Sequence, residues 1–182
     1  NGTRAHGTRP LVLVVDDTGQ TRGMGSADYP VHHPEPGFAE QDPEDWWNAT
    51  VAAVRQATGW LPATHKVVGI GVTGQMHGTV LLGADDKPVA PAVIWSDQRS
   101  RRQVESITNR VGLDRLIAIT GSPLATGFQA ATAAWFIQEK SSLWWRTKYV
   151  LLPKDELRRR LTGERATDPG DGSGTLLLDV RW

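Results

Sequence analysis

The chain has 182 residues, with 20 basic and 20 acidic side chains that cancel to zero formal net charge, and it contains no cysteine. The length suits a chain that buries its own core, the charge balance gives no footprint for nucleic acid or an anionic membrane surface, and the absence of thiols removes disulfides and thiolate metal sites. No run reaches the ~18 apolar residues of a membrane span, and the N-terminal stretch lacks a signal peptide's apolar core, which reads as a cytoplasmic chain.

In chain order, Leu11–Val15 is an apolar run that ends in Asp16-Asp17-Thr18-Gly19, a strand followed by a turn, and Thr21–Tyr29 supplies the returning strand of a hairpin. Pro30, Pro34, Pro36 and Gly37 then enforce an irregular crossing. Asp42 caps a helix that opens on Pro43 and carries Glu44 and Asp45 in its first turn; Trp47, Val51, Val54 and Thr58 recur at helical spacing, and Gly59 ends it. Trp46 and Trp47 are assigned to packing that helix onto a sheet. Val67–Val72 reads as a strand leading into Gly74-Gln-Met-His-Gly78, and Thr79–Leu82 as the strand that leaves this turn for a polar connection at Gly83–Pro88.

Ala92–Trp95 is a further short strand, and Val104, Ile107 and Val111 share one face of a helix ended by Gly112. Gly121-Ser-Pro123 and Gly127 mark a loop before a helix at Ala130–Glu139. Tyr149–Leu152 reads as a buried strand. Pro153 opens a helix through Leu161, stopped by Gly163, with Arg158, Arg159 and Arg160 on a solvated face. Asp168–Gly174 is a turn-rich loop and Thr175–Val180 a last strand. Early hairpins followed by alternating strands and helices give an α/β fold, a mixed central sheet flanked by helices, of ribonuclease-H-like rather than purely parallel type. The chain starts at Asn1 without a methionine and stops at Trp182 just after an apolar run, which reads as a single domain cut at both ends.

The turn at Gly74–Gly78 is the leading ligand site. It sets a polarizable thioether, Met76, beside an imidazole, His77, at a sheet end, where α/β folds bind small polar molecules. Taken alone, His77 also reads as a structural histidine and Met76 as core filler. Asp97 either caps the helix that follows it or accepts a ligand hydroxyl, and one carboxylate can do both. Trp95 either walls a ligand pocket or fills the core. Asp155 belongs to a helix's acidic first turn. Asp168 and Asp171 do not match a calcium-loop spacing, and the five histidines show no i, i+4 pair, so no metal site is assigned.

Five blocks carry a resemblance: Ala39-Glu-Gln-Asp-Pro-Glu-Asp-Trp-Trp47, Gly74-Gln-Met-His-Gly78, Ile94-Trp-Ser-Asp-Gln-Arg-Ser100, Leu151-Leu-Pro-Lys-Asp-Glu-Leu-Arg158 with Leu161-Thr-Gly-Glu164, and Ser173-Gly-Thr-Leu-Leu-Leu-Asp-Val180. In this order they resemble the FGGY carbohydrate kinases, and the xylulokinase branch most. The resemblance implies the actin-like ATPase superfamily and a two-domain enzyme, of which only the amino-terminal FGGY kinase domain is present. It implies phosphoryl transfer from ATP, with Mg2+, to the terminal hydroxyl of D-xylulose, with the sugar held by Met76, His77 and Asp97; Gln75 and Trp95, adjoining them, are further candidate substrate-binding residues.

The family's opening Asp-x-Gly-Thr, whose glycine and threonine approach the ATP phosphates, carries over to Gly7 and Thr8, with Ala5 where the family has aspartate. Position 96 is serine where the family has asparagine. The catalytic base lies beyond residue 182, so no catalytic residue is assigned and the isolated chain is expected to be inactive. The implied partners are the sugar and the missing carboxy-terminal kinase domain, with no nucleic acid or membrane, and a homodimer stays open. Two alternatives stand: another FGGY substrate such as ribulose, glycerol or gluconate, and a degenerate non-catalytic sugar-binding or interaction module, for which Ala5 argues.

Overall fold

The computed structural model describes residues 8–62 and 64–181. They fall into two compact units, the described parts of Asn1–Val31 with Glu44–Val72, and His32–Pro43 with Thr73–Trp182.

The first unit is built on a hairpin, β1 (Leu11–Val15) and β2 (Thr21–Ser26), and on helix α1 (Pro43–Thr58), all where the sequence places them. The hairpin turn is closed by Asp16, whose Oδ1 accepts from the Thr18 hydroxyl and from the amides of Thr18 and Gln20. Those bonds, led by the Thr18 hydroxyl and joined by Arg22 on the other oxygen, hold the carboxyl well below the ordinary carboxylate range. The pleat puts Gly23 and Gly25 on one face beside Val14 and Val12. A Cβ on Gly23 would stand 2.1 Å from the Ala57 carbonyl oxygen, and one on Gly25 2.0 Å from that of Ala53, so two missing side chains let α1 lie on the strand through its buried alanines.

Val67–Val72 is not a strand. It makes no ladder among the described residues, and Val67, Val68 and Ile70 are 67%, 100% and 72% exposed. Strand composition supplies side chains for a sheet, but the strand itself requires a facing row of N–H and C=O groups.

The second unit holds β3 (Glu40–Gln41), β4 (Val80–Leu82), β5 (Ala92–Val93) and β6 (Tyr149–Leu151). β3 pairs with β5 and β4 with β6, both antiparallel, and a bridge between Thr79 and Val93 joins the ladders in the order β3-β5-β4-β6. A mixed central sheet was expected. The expectation counted Val67–Val72 and Thr175–Val180 as strands, and neither pairs among the described residues.

Helices α2 (Arg101–Val111), α4 (Gln129–Glu139) and α6 (Pro153–Thr162) follow the sequence pattern. Three more are added: α3 (Leu113–Thr120), α5 (Ser141–Arg146) and α7 (Pro169–Ser173). The last replaces an expected loop, because Asp168 accepts from the Asp171 amide and Pro169 fits the first helical position. After it the chain turns instead of extending. Leu176 takes a left-handed φ of 58° and is buried against Leu124 and Ala131. Helix α4 contributes to this cluster through Ala131 and to a second one, in which Trp135 and Phe136 meet Leu81 and Val93. Among the described residues no helix is long and apolar enough to cross a membrane.

The arginines of α6 are not a solvated face. Glu156 is fully buried and accepts from Arg159 Nε at 2.8 Å and Arg160 Nε at 2.7 Å, while Arg158 turns to the Ala166 carbonyl. Positions i, i+3 and i+4 share a face whichever way it points, so charge count alone does not show burial. Glu156→Gln keeps the shape and removes the charge; a loss of about 1.5–3 kcal/mol is expected in chemical denaturation of the chain.

Candidate functional site

The turn at Gly74–Gly78 sits where β4 begins and β5 ends, since the Thr79 amide donates to the Val93 carbonyl at 2.8 Å. Its backing is tight. A Cβ on Gly74 would come within 3.2 Å of Lys154, and one on Gly78 within 2.7 Å of Pro153, so the turn lies directly on the first residues of α6. The buried Gln129 amide, at the start of α4, donates to Gly78 O at 3.1 Å and to Leu151 O at 2.9 Å, fixing the turn's exit to β6. Gln75 Nε2 donates to Gln41 Oε1 at 2.7 Å, which ties its entry to β3.

Within this frame His77 adopts φ 65°, the left-handed region that few non-glycine residues occupy. Backbone held in such a conformation by its surroundings directs attention to function. The imidazole Nδ1 is 3.0 Å from Gly174 O, and the ring stacks on Phe128 at a centroid distance of 3.9 Å. Met76 is 61% exposed and Trp95 59% exposed, so both large apolar side chains stand open to solvent. Close packing of Gly127 on the Trp95 carbonyl joins the two segments, because Phe128 follows it.

Asp97 is built into a buried ion pair. It is 1% exposed; Oδ2 accepts from the Ala39 amide at 2.6 Å, and Oδ1 from the Arg99 amide at 2.9 Å. The Arg99 guanidinium grips both oxygens, reaches Glu40 at 2.8 Å and lies over the Phe38 and Trp135 rings. Nor does Asp97 cap α2, whose flanking residue is Ser100. Beside this hub an open depression of about 540 Å3 is lined by His33–Ala39 and Ser96; neither Met76 nor His77 lines it.

Lys154 completes the electrostatics near the turn by bridging Asp155, Asp168 and Asp171 at 2.7, 2.9 and 3.4 Å. Burial draws its ammonium down, and the bonds to Asp155 and Asp168 outweigh this, leaving it raised; the Lys154 bond in turn lowers the Asp168 carboxyl. Among the described residues no group of three or more His, Asp or Glu side chains is placed to hold a metal ion. Of the expected phosphate-site pair, Gly7 lies outside the described residues, and Thr8 is exposed in the first unit, its carbonyl accepting from the Tyr29 amide at 3.0 Å.

The profile of the FGGY family of carbohydrate kinases, N-terminal domain, matches residues 5–182. The chain belongs to that family. Xylulose kinase of Escherichia coli K12 is 37% identical over 169 residues, covering 93% of this chain and 34% of the relative. A crystal structure of a xyloylose kinase from Brucella ovis superposes with a TM-score of 0.87 at 35% identity, over 95% of this chain and 35% of the other. A gluconate kinase from Lactobacillus acidophilus shares the fold at a TM-score of 0.89 and 24% identity, covering 94% of this chain and 35% of the other. This FGGY-family chain thus spans about a third of the length of these relatives. Phe128, Gln129 and Gly174 carry no signal in the sequence that marks them for the site. They stand 51 and 97 residues from the atoms they hold, and only the fold joins them.

Proposed function

We infer that this chain is the sugar-holding part of the amino-terminal domain of a cytoplasmic kinase that transfers a phosphoryl group from ATP, with Mg2+, to D-xylulose. What supports the reading most is the seating of His77, a left-handed residue whose imidazole is stacked and hydrogen-bonded on one edge beside an exposed Met76. A fixed imidazole and an open apolar wall suit a ligand with hydroxyls on one side and C–H groups on the other. The similarity to xylulose kinases of two bacteria points the same way. The ribonuclease-H-like core of the actin-like ATPases belongs to this proposal as well.

Met76, His77 and Trp95 are the proposed sugar contacts. Gln75, bonded to Gln41, holds the turn in place. Asp97 serves the sugar only through the segments it fixes. Thr8, with Gly7 before it, is the proposed approach to the ATP phosphates, and the metal is assigned to no described residue. Calorimetry on the complete kinase tests the sugar site: His77→Ala should weaken D-xylulose binding roughly tenfold, the value of one well-placed hydrogen bond. Unchanged affinity would refute the contact.

A further inference from the structure

His77 is held by one edge of its ring. Gly174 O can only accept, so Nδ1 carries the proton and donates across the 3.0 Å contact. A neutral imidazole protonated there offers a lone pair at Nε2, which has no partner among the described residues. Two further contacts fix the plane and position of the ring. It stacks on Phe128 with planes 23° apart, and the backbone of residue 174 is so near that a Cβ there would lie 3.2 Å from both Nδ1 and Cε1. Residue 174 itself has φ −66° and ψ −11°, a conformation open to every amino acid. Its backbone does not require glycine; a side chain there would press on the imidazole and on the Asp171 carbonyl at 3.3 Å.

We propose that Gly174 and Phe128 are specificity-determining positions that hold His77 as a hydrogen-bond acceptor at Nε2, so that the site takes a hydroxyl-bearing uncharged sugar and rejects an analogue with a carboxylate at the same carbon. The proposal rests on the sugar-site reading of the turn and adds which chemical class the turn admits. A hydroxyl donates its proton to the Nε2 lone pair. A carboxylate brings only lone pairs, and could be bonded only by an imidazole that takes up a proton or flips, the flip sacrificing the Gly174 bond. Neither Gly174 nor Phe128 touches the sugar in this account; they position the residue that does.

The test titrates D-xylulose and D-xylonate into the complete kinase and its Gly174→Ala and Phe128→Leu variants, with 15N imidazole spectra of His77 recorded on each. The expected result is an Nδ1-protonated tautomer in the parent protein and D-xylulose bound at least about tenfold tighter than D-xylonate. Gly174→Ala should mix the tautomers and reduce that ratio roughly fivefold, with a smaller change in the same direction for Phe128→Leu. An Nε2-protonated His77 in the parent overturns the proposal without any variant, and so does an unchanged ratio in both variants while D-xylulose still binds the parent; the sugar-site reading survives either result. Failure of D-xylulose to bind the parent sinks the sugar-site reading and the selectivity with it.

Discussion

Asp97→Ala should cost the chain about 3–5 kcal/mol of folding stability, the usual result of removing one member of a buried ion pair and leaving the other behind. The Arg99 side chain is 3% exposed and Asp97 1%, so the guanidinium left in the variant has little access to water. Glu40, 17% exposed, would remain as its counter-charge, which keeps the expected loss within that range. The Ala39 amide loses its 2.6 Å acceptor at the same time, which removes one of the bonds between residues 37–40 and the segment after β5. A carboxylate has about four lone-pair positions. Those of Asp97 are occupied by two backbone amides and a guanidinium, which gives it a structural duty. Asp97→Asn separates the parts: its carbonyl can still accept from Ala39 while the charge is gone, so its loss should fall between parent and alanine. Urea denaturation with an unchanged slope reads both. A midpoint for Asp97→Ala equal to that of the parent would remove the ion pair from any account of this fold.

Local chemistry was legible and partnership was not. Asp42-Pro43-Glu44-Asp45 announces a helix because cap, fixed φ and acidic first turn all act within a few residues, and α1 begins at Pro43. Pro153 and Gly163 bracket α6 in the same way. Val67–Val72 and Thr175–Val180 have equally clear apolar content, yet neither becomes a strand, since a ladder is a property of two segments. At the site, the glycines around Met76 and His77 mark a special turn, and His77 indeed has the unusual φ. Its stacking partner and its acceptor arrive from the starts of α4 and the end of α7, at separations no local pattern encodes. The Arg99 and Glu156 clusters were hidden for a related reason. A charge on a helix or loop looks solvated until the fold brings its counter-charge indoors.

Gly127→Ala should be the most damaging single-methyl change near the site, because two independent costs meet there. Gly127 has φ 78°, where an L side chain costs about 1–2 kcal/mol. Its added Cβ would also stand 2.1 Å from the Trp95 carbonyl oxygen and 2.7 Å from the carbonyl carbon. These are backbone atoms that no rotamer change can move aside, so the strand end at Trp95 or the loop at Gly127 must shift, at about 1–3 kcal/mol more. Gly121→Ala supplies the control. Its φ of 76° is nearly the same, but the nearest atoms to its Cβ are the Val180 methyls at 3.6 Å, ordinary contact, so only the backbone cost applies. The gap between the two urea midpoints therefore measures the close approach alone. Displacement of the loop also carries Phe128 away from the His77 ring, so Gly127→Ala in the complete kinase should weaken D-xylulose binding while Gly121→Ala leaves it intact. Equal stability losses in the two variants would mean that Gly127 does not press on Trp95, and the link between the two halves of the proposed sugar site would be lost.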